Sequence, residues 1–444
     1  MPAPVLLLHL SDIHFWRWRL DDSTYDVDTD LRRQLERDAE ALRNRLGPFT
    51  GIVVTGDIAY SADPREYKAA EDWLKELCAR IGCEEQAVWT VPGNHDVSRK
   101  VIDESPMTAM AQQQLRKDAG SLPKLLADPI GQNALFTAIE NYNEFAGKFE
   151  CHFGPKRLVW HDELELNDGS KLRLAGLNST LASWKGDDAN NKGLVLCDIA
   201  HCMPEENGVA YLTLCHHPPE WLIDLDATDD LLTNRAHVQL FGHKHRQRVR
   251  QIGKMLRITA GAVHPDRGER EWTPGYNVLS ISVDGTNAAR VLSVSLFSRV
   301  WNQSGMRFVA DTAGCGKEEC VHTVPLDPWD GPASRNVSTA PSAGPAADDE
   351  KKKESGNAVS PKGPSMDPSR RLTYRFLTLP HPQRMTIAVK LALVADDDAG
   401  LTDRELFARI FSRARERTQL AALWAAVEEQ HGQPNSAPNP FAGR

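Results

Sequence analysis

Five separate apolar runs in this chain end, within one to three residues, on an aspartate, asparagine or histidine, and this recurrence restricts the fold more than any other feature. Val5–Leu10 leads into Ser11-Asp12-Ile13-His14, and Ile52-Val53-Val54 into Thr55-Gly56-Asp57. Ala87–Val91 leads into Pro92-Gly93-Asn94-His95-Asp96, Val209–Cys215 into His216-His217-Pro218-Pro219, and His237–Phe241 into Gly242-His243-Lys244-His245. Short apolar runs bounded by Gly and Pro read as buried strands. Between the first three lie stretches with helical spacing. Asp28–Leu46 puts Leu31, Leu35, Ala39, Leu42 and Leu46 on one face and stops at Gly47-Pro48, and Glu66–Ile81 carries Trp73, Leu74 and Leu77. The order β-α-β-α-β predicts right-handed crossovers and a largely parallel sheet. Ligands of such sheets sit beyond the carboxyl ends of the strands, which is where every polar cluster falls.

Asp12, His14, Asp57, Asn94, His216, His243 and His245 together form a set of carboxylate, amide and imidazole donors without a thiolate. That chemistry suits Mn, Fe, Zn or Ni. Seven donors are too many for one tetrahedral site and suit two divalent ions, which in such pairs lie about 3.5–4 Å apart. Asp57, on a central strand, is the natural bridge. Such a pair stabilises the attacking and leaving oxygens of a displacement at phosphorus and lowers the pKa of a shared water, so that hydroxide is available at neutral pH. His95 is left to contact a phosphate oxygen or to protonate the leaving alkoxide, with Asp96 holding its tautomer. Phe15-Trp16-Arg17-Trp18-Arg19 interleaves aromatic and basic residues, and this makes Trp16 and Arg17 candidates for substrate binding.

Asp12-x-His14, Gly56-Asp57, Gly93-Asn94-His95-Asp96, His216 and Gly242-His243-x-His245 resemble, in order, the five-block signature of the calcineurin-like metallophosphoesterases, over about residues 5–300. The resemblance implies a four-layer αββα sandwich. It implies one ion held by Asp12, His14, Asp57 and His245, a second held by Asp57, Asn94, His216 and His243, and His95 as the acid near the leaving group. The fourth block offers both His216 and His217, and His216 is taken because the family usually has His-x-Pro there. Asn178-Ser179 and the double histidine resemble the branch that contains cyclic-nucleotide and other small phosphodiesterases. The implied activity is metal-dependent phosphodiester hydrolysis, with a nuclease, a phosphomonoesterase or a non-catalytic metal-bound scaffold as alternatives. The substrate is a phosphoester, with nucleotides included.

The rest of the chain divides by composition. Residues 98–156 are polar and helical in pattern and read as a helical cap inserted into the catalytic domain, 1–324. Asn167-Asp168-Gly169 marks a hairpin between Arg157–Leu166 and Lys171–Leu177. Residues 325–370 are rich in Pro, Ala, Ser and Gly and read as a disordered linker. Residues 371–432 read as a small all-α module with helices at Arg384–Val394, Asp403–Arg415 and Thr418–Gln430, followed by a disordered tail, 433–444. That module resembles the effector-associated or death-like adaptors fused to enzymes in bacterial conflict systems, and the resemblance implies a protein partner. The net charge of −9 argues against a surface that is wholly a nucleic-acid platform. Eight cysteines without a Cys-x-x-Cys pair argue against a zinc ribbon or a disulfide framework. No apolar stretch approaches the roughly 18–20 residues of a membrane helix, and the start lacks a basic leader. The expectation is a cytoplasmic protein.

Overall fold

The computed structural model describes residues 3–16, 27–184, 187, 193–196, 202–223, 225–265, 273–329, 331, 367–432 and 439–442. Strands β1 (Val5–Leu10), β2 (Gly51–Val54) and β3 (Val88–Thr90) are parallel neighbours, with β2 in the middle. The crossovers are α1 (Val27–Leu46) and α2 (Pro64–Ile81). Asp63 and Glu66 form a capping box at the start of α2, and Gly82, at φ 78°, ends it in the left-handed region.

The polar segment after β3 forms five short helices: α3 (Arg99–Glu104), α4 (Pro106–Lys117), α5 (Leu122–Ala127), α6 (Pro129–Phe136) and α7 (Glu140–Gly147). It packs as a flanking layer, because its apolar residues Leu115, Leu135, Tyr142 and Phe145 join the main core. Phe145 stacks on Tyr67 of α2. Helix α4 reaches toward the strand ends, where Gln112 and Arg116 donate to the carbonyls of Ser183 and Ala182.

The second sheet has the order β4 (Val159–Glu165), β5 (Lys171–Leu177), β6 (Val209–Cys215), β7 (Val238–Phe241), β9 (Met255–Thr259), β8 (Arg248–Ile252), with β5, β6, β7 and β9 parallel. Alternation along β6 shows how the layers form. Ala210, Leu212 and Leu214 face the core between the sheets, while Tyr211 and Cys215 face outward beside Leu232 of α8 (Leu225–Arg235). The first sheet continues beyond β1 through antiparallel β10 (Gly275–Asp284) and β11 (Val291–Asn302), whose outer edge is shared by β12 (Arg307–Ala310) and β13 (Glu319–Pro325). The result is an αββα sandwich. Cys315 and Cys320 are joined in a disulfide between β12 and β13, a local bridge rather than the framework that the cysteine spacing argued against.

The C-terminal module has four helices, not three: α9 (Pro368–Thr378), α10 (His381–Lys390), α11 (Asp403–Glu416) and α12 (Leu420–Gln430). Its own core contains Leu372, Phe376, Ile387, Phe407, Ile410, Leu423 and Trp424. Two boundaries differ from the sequence reading. Helix α9 begins inside the supposed linker, and Phe441, in the supposed tail, is buried against Trp424 while Asn439 donates to Ala421 O.

The other face of α9 packs against the sandwich. Strand β3 is an edge strand, and its outward carbonyls at 86, 88 and 90 need partners. Arg370 donates to Gln86 O at 3.0 Å and Val88 O at 2.6 Å, and Trp160 of β4 donates to Thr90 O at 3.0 Å. Arg370 also pairs with Asp162 of β4 at 2.7 Å, which in turn accepts from the Trp89 indole at 2.6 Å. One turn on, Tyr374 packs on Phe149. The guanidinium therefore fastens the edges of both sheets to the module. Arg370→Ala strips two buried carbonyls and leaves Asp162 without its cation. Urea unfolding is expected to show a loss of about 3 kcal/mol, and a loss below about 0.5 kcal/mol, ordinary for a surface site, would contradict this account.

Candidate metal centre

The site forms where the carboxyl ends of both sheets meet. Five of its donors lie in the left-handed region: Asp12, His14 and His245 at φ 53°, Asp57 at 54° and His243 at 67°. Each such non-glycine residue costs roughly 1–2 kcal/mol, so the cluster stores strain of the kind found at functional sites. The conformation lets each strand turn sharply while its neighbours still pair. Asp12 N donates to Gly56 O, and Ile13 N and His14 N both donate to Asp57 O. At Gly56, φ is 92°, and a Cβ there would lie 2.6 Å from His216 Nδ1, so no other residue fits.

Hydrogen bonds at the rim fix which ring nitrogen faces inward. His14 Nδ1 lies 3.1 Å from His264 O and His216 Nδ1 lies 2.7 Å from Thr55 O. A carbonyl only accepts, so both Nδ1 atoms carry protons, and in the neutral rings both Nε2 atoms present lone pairs. These lone pairs face Asp57 Oδ2 at 3.3 and 3.4 Å. His216 Nε2 and His243 Nδ1 lie 3.1 and 3.0 Å from Asn94 Oδ1, and His245 Nε2 lies 3.2 Å from Asp12 Oδ1. Asp12 and Asp57 are buried. Acceptors converging on acceptors in a buried pocket call for cations, and this donor set fits divalent ones. The groups Asp12/His14/His245 and Asp12/Asp57/His216 each bring one ligand atom per residue within 4.8 Å of the others. The structure thus brings together all seven donors read from the sequence, and it turns His216, not His217, toward Asp57.

His95 is placed beside this cluster, but Asp96 does not hold it. The Asp96 carboxylate accepts from Gly93 N, Ile58 N, Ala59 N and the Tyr67 hydroxyl, and so fastens the loop instead. Burial, followed by the nearby Asp57 charge, pushes Asp96 up to about 6. The tautomer of His95 is set by Tyr60 O, 2.8 Å from Nδ1, while its backbone N–H donates to Asp57 Oδ1 at 2.8 Å. Burial lowers the His95 pKa. The Tyr60 ring lies 4.8 Å from that of His95 and stacks on Trp16 at 3.6 Å, so an aromatic wall leads out from the site. Arg17 lies outside the described residues. The carbonyls of Thr55, Tyr60 and His264 were missed by the sequence reading, since a backbone acceptor has no side-chain signature.

The family model for calcineurin-like phosphoesterases matches residues 5–247, more than half of the 444-residue chain. The chain belongs to that family. A second model, for the GTPase-associated adaptor domain, matches residues 368–429. The chain is 25% identical over 181 residues to the uncharacterized metallophosphoesterase-like protein YydB of Bacillus subtilis, an alignment covering 41% of this chain and 34% of that protein. Among solved structures, GAP50, the anchor in the inner membrane complex of Plasmodium, overlays with a TM-score of 0.37 at 12% identity over 78% of this chain and all of that one. Wild-type Vps29 with Zn from Entamoeba histolytica overlays with a TM-score of 0.30 at 10% identity over 69% and 98% of the two chains. Among the described residues no helix is long and apolar enough to cross a membrane.

Burial, the largest influence on His216, opposes its protonation, yet Asp57 and then Asp12 raise it to about 9 in the ion-free protein. At pH 7 a cation must displace that proton. Apparent ion affinity is therefore expected to rise by about tenfold per pH unit as one proton is released, flattening above the His216 pKa. Titration calorimetry in buffers of different ionisation enthalpy checks this, and uptake without proton release would contradict it.

Proposed function

We propose that this chain is a dinuclear, metal-dependent phosphodiesterase recruited through its C-terminal adaptor module. The observation that carries the reading is the set of buried acceptors turned toward one another around Asp57, with His95 at their margin. Asp12, His14, Asp57 and His245 hold one ion, and Asp57, Asn94, His216 and His243 the other. Mn, Fe, Zn or Ni would suit these donors. When bound, such ions supply Lewis acidity toward a phosphoryl oxygen and a nucleophile at neutral pH.

The protein groups do the remaining work. With its Nδ1 proton held on Tyr60 O, His95 presents Nε2 to the site. Entry of an anionic phosphate favours the imidazolium, whose Nε2 proton then passes to the leaving alkoxide. Trp16 and Tyr60 offer an apolar wall to a planar leaving group, so the reading extends to nucleotides. Four helices separate from the site give the adaptor its surface, and a second protein is the partner.

The deciding assay is hydrolysis of bis(p-nitrophenyl) phosphate and of the monoester by ion-stripped protein refilled with Mn. The diester is expected to be the better substrate. His95→Ala should lower kcat by about 10²–10⁴-fold while sparing ion binding. Undiminished turnover in that variant would remove the acid assignment, and turnover of neither ester with two ions bound would favour a scaffold. A steep fall of polynucleotide binding with salt would instead point to a nuclease.

A further inference from the structure

His217 follows a site histidine in sequence but has no role in the reading above. Its ring centroid lies 4.7 Å from that of His216 and 4.5 Å from that of His243. One ring nitrogen from each of His216, His217 and His243 falls within 4.8 Å of the other two. The ring is wholly buried. Its Nδ1 is 2.8 Å from Ser179 Oγ, and its backbone N–H donates to the same oxygen at 3.3 Å. Its Nε2 is buried and has no hydrogen-bond partner among the described residues.

His14, His95 and His216 each tie Nδ1 to a protein oxygen and leave Nε2 for the site. His217 repeats that arrangement, with Ser179 Oγ as the outer partner. When Ser179 Oγ accepts from Nδ1 as it does from the backbone N–H, Nε2 is a lone pair, the form that ligates a metal. A buried imidazole nitrogen left without a partner is destabilising, a cost that a histidine serving only as packing would carry for no return. Around the ring stand His216, His243 and Trp221, and none of them fills the vacancy at Nε2.

We propose that His217 is a further ligand of the cation held by Asp57, Asn94, His216 and His243, so that three imidazoles serve that position. The inference rests on the dinuclear reading. Three imidazoles around one ion shift that position toward borderline metals and away from Mg and Ca, which prefer oxygen donors. The two positions then differ in kind, one richer in carboxylate and the other in imidazole.

The test is calorimetric titration of the ion-stripped full chain with MnCl₂, paired with urea unfolding of the ion-free protein. Wild type is expected to take up two ions. His217→Leu should leave the affinity for one ion unchanged and weaken the other by at least about tenfold. Its ion-free stability should be equal or higher, because the unpartnered nitrogen is gone. If His217→Leu does not fold, His217→Gln is read in the same way for ion affinity. Two ions bound by the variant as tightly as by wild type would overturn the proposal and leave the dinuclear reading intact. Fewer than two ions bound by wild type would overturn that reading, and this proposal with it.

Discussion

A carboxylate with almost no access to water sits at the seam of the two sheets, and the arrangement around Asp57 follows from what that charge requires. One oxygen is satisfied by the His95 backbone N–H, while the other faces Nε2 of His14 and of His216. An isolated buried anion is too costly to persist, so the fold must deliver compensating cations or protons to this point. Parallel strands of two different sheets meeting at their carboxyl ends supply donors from both sides. The left-handed turns at Asp12, His14, Asp57, His243 and His245 aim them inward. Strain in five residues is tolerable only on a rigid base, and the core between the sheets, with Leu8, Val53, Leu212, Leu214 and Leu240 fully buried, provides it.

Much of this was legible in the sequence because it depends on periodicity and on side chains. The limits of β5 and β6 agree with their apolar runs to the residue, and the seven candidate residues follow the ends of β1, β2, β3, β6 and β7. What escaped has physical reasons. Strands β8, β12 and β13 lie at sheet edges and are mostly exposed or half-buried, so they carry no continuous apolar run. Helix α9 was hidden because the face it buries against the sandwich carries Arg370 and Tyr374. A helix whose buried side is partly polar reads as a solvated one. The role of Asp96 was misassigned because adjacency in sequence suggested a contact with His95, whereas the short 3₁₀ turn at Asn94–Asp96 points the carboxylate back at the amides of Gly93, Ile58 and Ala59.

The adaptor module is fastened to the sandwich rather than carried as a passenger on a tether. Helix α9 contributes Leu372 and Phe376 to one core, Tyr374 to the other, and Arg370 to the joint between them. Arg404 of α11 pairs with Glu140 of α7 at 3.4 Å, a second contact across the same boundary. An exposed pair of this kind contributes little stability, so orientation depends on α9. A partner meeting the module must then do so on the sides that α9 leaves open.

The shortest strand carries the consequence of that joint. Strand β3 has three residues, and its inward side is paired to β2 while Arg370 and Trp160 take the carbonyls of its outward side. Four residues past its end stands Asn94, followed by His95. Both donors therefore inherit their position from an edge strand held on one flank by a side chain of the adaptor. A three-residue strand has too few backbone bonds of its own to fix register. The guanidinium of Arg370 supplies directional bonds at two successive outward carbonyls, and a slip of one residue would turn both away. The adaptor thereby defines where the Asn94–Asp96 loop begins, although among the described residues it contributes no group to the candidate metal centre.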